Sequence, residues 1–373
     1  MDMDKTERYD RKLVFANGRE FLGAGFGSSR EALCECSFDT AMIGYQEIVS
    51  DPACAGEALV MTYPVVGSYG MADEDYEARI CPAGCLIVRA YNDRPSNFRF
   101  TKTLAEVMVE NDIPGIQGVD TRAITRMLRD EGAMKVLLTA CDTPTEKAME
   151  LLRNTELPQD LVARVSGKKI RYSRTANFRY NVVAVDCGIR QSSIRCLTKR
   201  GCNVTIVPHD TDAATVLALK PDGLFLSSGP GDPKACGCVV ELTKALWGKL
   251  PIFGVGLGCQ IEALAAGGDT YRMKHGHNGG NIPVKSIYGD KREITAQSHS
   301  YAVCADSLQG TALTVTHRHL LDNTVEGVMS EKDRVIGVQH YPENEPGADD
   351  CAYVYDTFIA MMERNCEGGN DNA

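Results

Sequence analysis

The sequence predicts an α/β protein with two domains, a strand-rich mixed domain over residues 1–158 and a doubly wound, mostly parallel sheet over residues 181–373. Three observations lead to this prediction. The chain has 373 residues, which exceeds the usual size of one hydrophobic core. Its first part alternates short apolar runs with glycine, whereas its last part alternates buried strands with helices. Residues 159–180 between them are polar and basic, which is typical of a linker.

The first domain contains short apolar runs rich in β-branched and aromatic residues. Strands are expected at residues 13–15, 58–62 and 85–88. A helix is expected from Thr121, because apolar residues recur there at three-to-four spacing. Asp120 or Thr121 would cap this helix and Gly132 would end it.

The second domain shows a regular alternation of β-branched runs and helical segments. Strands are expected at residues 181–186, 204–208, 223–227 and 251–255. This alternation favours a mostly parallel sheet with helices on both faces. Ligands of such sheets bind at the carboxyl ends of the strands. Candidate site residues are therefore expected there.

Composition and charge argue against several classes of function. Hydrophobic residues make up 43% and charged residues 24% of the chain, as in globular proteins. The formal net charge of -10 disfavours nucleic-acid binding. No apolar run approaches the roughly 20 residues of a membrane helix, and residues 1–10 lack the features of a signal peptide. We therefore expect a cytoplasmic protein that binds neither nucleic acid nor membrane.

The 15 cysteines are scattered and lie mostly in apolar segments. This distribution indicates buried thiols in a reducing compartment rather than disulfides. Metal binding is the alternative for three closely spaced pairs, but none has the two-residue spacing of a zinc knuckle, so no metal site is expected. These pairs are Cys34 with Cys36, Cys81 with Cys85, and Cys236 with Cys238.

Three stretches of the second domain carry the motifs that point to chemistry. They are LSSGPGDP at residues 226–233, FGVGLGCQ at 253–260 and VQHYPE at 338–343. In order and spacing they resemble the signatures of class I glutamine amidotransferases, and the second domain is expected to have that fold. The resemblance implies a cysteine on a tight turn that attacks the glutamine amide, a histidine that transfers the proton and a glutamate that orients the histidine.

Further stretches narrow the resemblance to the small subunit of carbamoyl phosphate synthetase. They lie at residues 38–47, 62–64, 93–97, 118–122 and 276–281. The resemblance implies a large-subunit partner that uses ATP and Mg to make carbamoyl phosphate for pyrimidine and arginine biosynthesis. It implies no cofactor in this chain.

Two catalytic positions depart from the family pattern. Gly256 stands where the family has its nucleophilic cysteine, and glycine cannot form a thioester. The family's histidine and the residue before it are exchanged as His340 and Tyr341. In an extended segment neighbouring side chains point to opposite faces, so His340 would face away and Tyr341 would occupy the base position. With an ordinary pKa near 10, tyrosine is a poor base at neutral pH. Glu343 is retained.

The positions that hold glutamine in the family are partly replaced, which places glutamine binding in doubt. Ala41, Ser298 and Ser300 stand where the family has serine, asparagine and glycine. Backbone donors near Gly231 and Leu257 would still suit an oxyanion hole. The retained positions are Gly229, Gly231, Leu257, Gln260 and Tyr301.

Three interpretations remain open, and whether the chain is itself an enzyme is not decided by the sequence. The one we favour is a pseudo-glutaminase that supports an ammonia-dependent large chain. A second is glutamine hydrolysis through a displaced thiol, Cys259, although this residue lies one helical turn beyond the elbow. A third is a non-catalytic binding or scaffold protein. The glycines around Gly256 would also suit a phosphate loop, but no Lys-Ser/Thr pair follows them.

Overall fold

A computed structural model describes residues 9–287, 291–343 and 350–370. The chain divides into two compact units, one of residues 1–158 with 274–278 and one of residues 159–273 with 279–373. Residues 1–8, which carry most of the prediction about a signal peptide, lie outside the described residues. None of the described helices is both long and apolar enough to cross a bilayer.

The first unit is built on a closed barrel with strand order β1-β2-β8-β6-β4-β3-β9, and β5 pairs with β7 beside it. Apolar side chains such as Leu13, Val60 and Ile87 form one of its buried clusters. The strands are β1 (Arg11–Phe15), β2 (Glu20–Gly27), β3 (Ala32–Asp39), β4 (Glu57–Met61), β5 (Val65–Val66), β6 (Cys85–Ile87), β7 (Ala90–Tyr91), β8 (Pro114–Gln117) and β9 (Met134–Ala140). The helices are α1 (Tyr45–Val49), α2 (Leu104–Glu110), α3 (Thr121–Glu131) and α4 (Thr145–Asn154).

Local sequence signals explain the helix predicted at Thr121. The Asp120 side chain accepts a hydrogen bond from the Ala123 N–H at 3.0 Å, so Asp120 is the cap. Gly132 follows the last turn with a φ of 100°, which a glycine adopts without strain.

Cys36 and Cys85 are fully buried in the barrel, and burial raises the pKa of both thiols well above the ordinary value. These two cysteines are packed as small apolar groups.

The second unit is a twisted sheet with strand order β10-β12-β11-β13-β14-β19-β18-β16-β15-β17. The strands are β10 (Arg171–Ser173), β11 (Tyr180–Asp186), β12 (Cys202–Pro208), β13 (Gly223–Leu226), β14 (Ile252–Val255), β15 (Thr270–Ser286), β16 (Arg292–Val303), β17 (Thr314–His319), β18 (Val325–Ser330) and β19 (Val335–Val338). The helices are α5 (Leu161–Val165), α6 (Gln191–Lys199), α7 (Ala213–Ala218), α8 (Gly237–Leu246), α9 (Leu257–Ala265) and α10 (Tyr353–Asn370).

The centre of this sheet is parallel, as the alternating pattern predicts. β12, β11, β13, β14 and β19 pair in parallel, whereas β18 joins antiparallel. One apolar cluster contains side chains of helices α8 and α9, and a second contains side chains of α6 and α10. Helices therefore cover both faces of the sheet, which is the doubly wound arrangement. The carboxyl ends of β13, β14 and β19 are neighbours, and the three motifs follow these strands.

The prediction of a linker at residues 159–180 differs from the structure. This segment belongs to the second unit and contains α5 and β10. β10 pairs antiparallel with β12 at the sheet edge, where Arg171 opposes Ile206. Arg171 also donates to Asp186 at 2.6 Å. An edge strand has one solvated side, so its polar and basic composition imitates that of a linker.

Candidate functional site

The turn between β14 and α9 is a strained elbow at Gly256. This residue has φ 56° and ψ -111°, and its N–H donates to the Val338 carbonyl at 2.8 Å. Such a backbone is disfavoured for residues with a side chain and is typical of a nucleophile elbow. The N–H groups of the first turn of α9, beginning at Leu257, have no acceptor inside the helix. The elbow backbone is therefore formed, although its residue carries no nucleophile.

Space for a side chain exists at position 256. A Cβ built on Gly256 would lie 3.4 Å from Ser228 Cβ and 3.9 Å from the Gln339 carbonyl oxygen. Both distances are ordinary van der Waals contacts. A thiol at this position would thus project between the turns that follow β13 and β19, and its loss is not forced by crowding.

Glycines around the elbow allow close backbone approach. A Cβ on Gly258 would lie 2.2 Å from the Leu226 carbonyl oxygen, and one on Gly229 would lie 2.2 Å from the Cys187 carbonyl oxygen. These glycines let α9 and the turn after β13 pack directly on their neighbours. Gly231 adopts a φ of 85°, which again favours glycine.

Gly258→Ala is expected to lower the free energy of unfolding by about 2–3 kcal/mol, because its methyl group would meet backbone that cannot rotate away. The matched control is Gly237→Ala in α8, where a Cβ would meet nothing within 4 Å. This control should be neutral or slightly stabilising. Urea unfolding followed by circular dichroism measures both. Equal stabilities of the two variants would contradict the tight packing of α9 on β13.

Cys259 lies in the interior rather than at the elbow. Its side chain is 1% exposed and packs in the apolar cluster with Leu257 and Ile261. Its Sγ would lie 3.0 Å from a Cβ built on Gly337, a residue of β19. Burial, with the nearby Glu262, raises the pKa of this thiol well above its ordinary value. A buried, protonated thiol is a poor nucleophile.

His340 and Tyr341 have different surroundings. The His340 ring is fully buried beside His317, with 5.5 Å between ring centroids. The Tyr341 ring lies under the guanidinium of Arg190, whose Cζ is 4.0 Å from the ring centroid. The Tyr341 N–H donates to the Ala296 carbonyl at 2.8 Å, which holds the backbone of this segment. The ring that lies under Arg190 is therefore the phenol of Tyr341, and the imidazole of His340 lies elsewhere.

Glu343 is held by a set of partners that sequence reasoning did not find. Ser193 Oγ donates to its Oε1 at 2.5 Å, and the Tyr355 hydroxyl donates to the same oxygen. Arg190 Nη1 lies 3.8 Å from Oε2, with both side chains almost completely buried. The only sequence signal for Arg190 is its place at the carboxyl end of β11, where ligand-binding residues of parallel sheets lie.

Glu343 Oε2 is a buried acceptor without a hydrogen bond among the described residues. Its partner oxygen Oε1 already accepts two hydroxyl groups. Oε2 thus has the ion-pair contact with Arg190 but no hydrogen bond, although buried polar groups normally have one. The position suits the orienting role that the sequence resemblance assigns to Glu343.

Comparison with known proteins identifies the family. Residues 13–138 match the family described as carbamoyl-phosphate synthase small chain, CPSase domain, and residues 183–361 match glutamine amidotransferase class-I. The carbamoyl phosphate synthase small chain of Listeria innocua serovar 6a is 43% identical over 358 residues, which cover 96% of this chain and 98% of that protein. The chain belongs to the carbamoyl phosphate synthase small chain family. The small chain of Staphylococcus haemolyticus is likewise 43% identical, over 95% of this chain and 96% of that protein.

Membership of this small-chain family implies a large-chain partner. The matches also confirm the predicted fold class, a strand-rich mixed first part followed by an α/β part of the class I glutamine amidotransferase type. In the structure the strand-rich part is a closed barrel.

The predicted glutamine-holding positions fall in both units of this small chain. Gln260 is buried in α9, and its Nε2 donates to the Tyr301 carbonyl at 2.8 Å and to Gln339 Oε1 at 3.2 Å. Ser298, Ser300 and Tyr301 follow one another along β16 and are partly exposed. Gln260 thus ties the elbow helix to the strand that carries three of the predicted positions.

Ala41 lies in the first unit, directly after β3. It is 4% exposed, and its N–H donates to Asp39 Oδ1 at 2.6 Å. Burial raises the pKa of the Asp39 carboxyl to about 6, although this hydrogen bond opposes the shift. The methyl side chain of Ala41 carries no hydroxyl, which is the group that the sequence resemblance leads us to expect at this position.

Proposed function

We propose that this small chain is a pseudo-glutaminase that binds a carbamoyl phosphate synthase large chain and supports carbamoyl phosphate synthesis from free ammonia. The observation that carries the proposal is the elbow itself. Gly256 has the strained backbone of a nucleophile turn and room for a side chain, yet it offers only hydrogen. Covalent cleavage of an amide needs a nucleophile at that apex.

The base position supports the same proposal. Tyr341 fills the position under the Arg190 guanidinium, and tyrosine, with an ordinary pKa near 10, is a poor proton acceptor at neutral pH. His340 is buried beside His317 instead, and burial lowers the pKa of its imidazole well below the ordinary value. Loss of either group of a catalytic pair typically costs several orders of magnitude in rate. With both lost, the ordinary covalent route is closed.

The retained features fit a chain that still assembles with a partner. Family resemblance extends over the barrel as well as the amidotransferase-type unit. We propose that the large chain supplies the ATP and Mg chemistry, and that the product serves pyrimidine and arginine biosynthesis. The role left to the small chain is structural or allosteric support of ammonia use.

The test is to co-purify the small chain with its large chain and to measure carbamoyl phosphate formation with ammonium and with glutamine. We expect ammonium to support turnover and glutamine to give less than about one thousandth of that rate. Comparable rates with the two nitrogen sources would overturn the proposal, and failure of the two chains to co-purify would favour a separate scaffold role.

A glutamine-mimicking electrophile separates the pseudo-glutaminase from hydrolysis through Cys259. After incubation and peptide mapping, we expect no modification of Cys259, because its thiol is buried and protonated. Cys259→Ala is the matched variant, and it should leave ammonium-driven turnover unchanged. Modification of Cys259, together with glutamine turnover that this variant abolishes, would establish the displaced thiol as the nucleophile.

A further inference from the structure

The exchange of His340 and Tyr341 places an imidazole in a second cluster of chemically active side chains. Glu293 of β16, His340 after β19 and Cys351 before α10 each offer one ligand atom, and these atoms lie within 4.8 Å of one another. All three residues are at most 1% exposed. The cluster therefore joins three separate elements of the second unit inside its core.

Neither ring nitrogen of His340 has a hydrogen-bond partner among the described residues. A buried polar group without a hydrogen bond lowers the stability of the fold by about 1–3 kcal/mol, so buried polar groups normally have a bonding partner. Burial lowers the pKa of this imidazole, and the nearby His317 and His299 lower it further. Because neither ring nitrogen is engaged in a hydrogen bond, the imidazole can offer a nitrogen to a metal ion.

The other two ligand groups already face each other. Cys351 Sγ donates to Glu293 Oε2 at 3.4 Å, and the Tyr353 hydroxyl lies 3.5 Å from the same oxygen. Lys291 Nζ lies 3.2 Å from Glu293 Oε1, which leaves Oε2 as the oxygen nearer the thiol. His317 Nε2 lies 3.9 Å from Oε2 and is bonded to the Tyr353 hydroxyl at 2.9 Å. A carboxylate, a thiol and an imidazole thus converge.

We propose that Glu293, His340 and Cys351 form a zinc site. One sulfur, one nitrogen and one oxygen suit Zn²⁺, whereas Ca²⁺ and Mg²⁺ require oxygen ligands alone. Ligand atoms of a tetrahedral zinc lie about 3.3–3.8 Å apart. The ligand atoms lie within 4.8 Å of one another, so the separations need to close by at most about 1.5 Å. Zinc would displace the thiol proton.

A neighbouring cavity reaches Glu293, one of the three proposed ligands. It has a volume of about 440 Å³ and is lined by residues that include Glu293, His317 and Tyr353. It gives a metal ion a route to Glu293 and leaves room for a water molecule or His317 as the fourth ligand. The zinc would link β16, the segment after β19 and the start of α10, which is a structural role independent of glutamine hydrolysis.

The test uses the full chain without a histidine tag, treated with a chelator, dialysed and titrated with Zn²⁺ or Co²⁺. We expect one zinc per chain by elemental analysis, and a thiolate-to-cobalt charge-transfer band in the Co²⁺ form. Cys351→Ala should remove the band and weaken zinc binding at least about 100-fold, which is beyond the effect typical of an outer-shell partner. Cys202→Ala, which also removes a fully buried cysteine of this unit, should leave both properties unchanged.

A second variant guards against a failure of Cys351→Ala to fold. Glu293→Gln keeps the size of the side chain but removes its charge, and zinc should raise the melting temperature of the parent chain but not of this variant. No zinc retained by the parent chain, or a charge-transfer band that persists in Cys351→Ala, would overturn the proposal.

Discussion

Gly256→Cys combined with Tyr341→His is expected to raise glutaminase activity by roughly 100-fold or more over the unmodified chain. The elbow backbone and the space for a Cβ are already present at Gly256. Glu343 Oε2 has no hydrogen bond among the described residues, so it can accept one from an imidazole in addition to its ion-pair contact with Arg190. The two substitutions therefore complete a cysteine, histidine and glutamate set on an existing framework.

Each substitution alone is expected to have an effect of less than about tenfold, because a nucleophile and its base act as a unit. Glutamate release by the purified chain, followed at saturating glutamine, measures the rates. The matched control is Gly256→Ala with Tyr341→His, which imposes the same backbone strain without a thiol. Reaction of the elbow thiol with a glutamine-mimicking electrophile would show that the new sulfur is accessible.

The double variant could be inactive although it is as stable as its alanine control. That result would contradict the view that the two missing catalytic side chains are the main reason for the loss of glutaminase activity. Ala41, Ser298 and Ser300 would then be the next positions to change, since the sequence resemblance leads us to expect other residues there. A high activity of Gly256→Cys alone would instead show that another group serves as base.

Much of the second unit follows from local sequence signals. β-branched runs locate the parallel strands, and period-two alternation places His340 and Tyr341 in different surroundings. The elbow is predictable because Gly254, Gly256 and Gly258 mark close approach and a positive φ. By contrast, the edge strand β10 escapes prediction because its polar sequence resembles a linker, and pairing with β12 is a long-range property.

The partners of Glu343 also escape prediction for a physical reason. Arg190 and Ser193 follow β11, whereas Tyr355 lies in α10, and only the parallel order of the sheet brings them together. Sequence spacing detects ligands on one helix or one strand. It does not detect side chains that meet across three elements, which is also true of Glu293, His340 and Cys351.

Arg190→Met is expected to lower the free energy of unfolding by about 3–5 kcal/mol, the range for breaking a buried ion pair. Arg190 Nη1 lies 3.8 Å from Glu343 Oε2, and both side chains are almost completely buried. Removal of the cation leaves the Glu343 carboxylate without a charge partner among the described residues. It also removes the guanidinium that lies 4.0 Å from the Tyr341 ring centroid.

A double-mutant cycle isolates the pair. Glu343→Gln alone should be destabilising, because it leaves the guanidinium of Arg190 without its carboxylate, whereas Arg190→Met with Glu343→Gln should recover most of the loss. Urea unfolding at constant pH measures all four chains. Arg164→Met is the matched control, because Arg164 forms an exposed i,i+4 pair with Asp160 and should change stability little. If Arg190→Met lowered the free energy of unfolding as little as Arg164→Met does, Ser193 and Tyr355 alone would stabilise the Glu343 carboxylate.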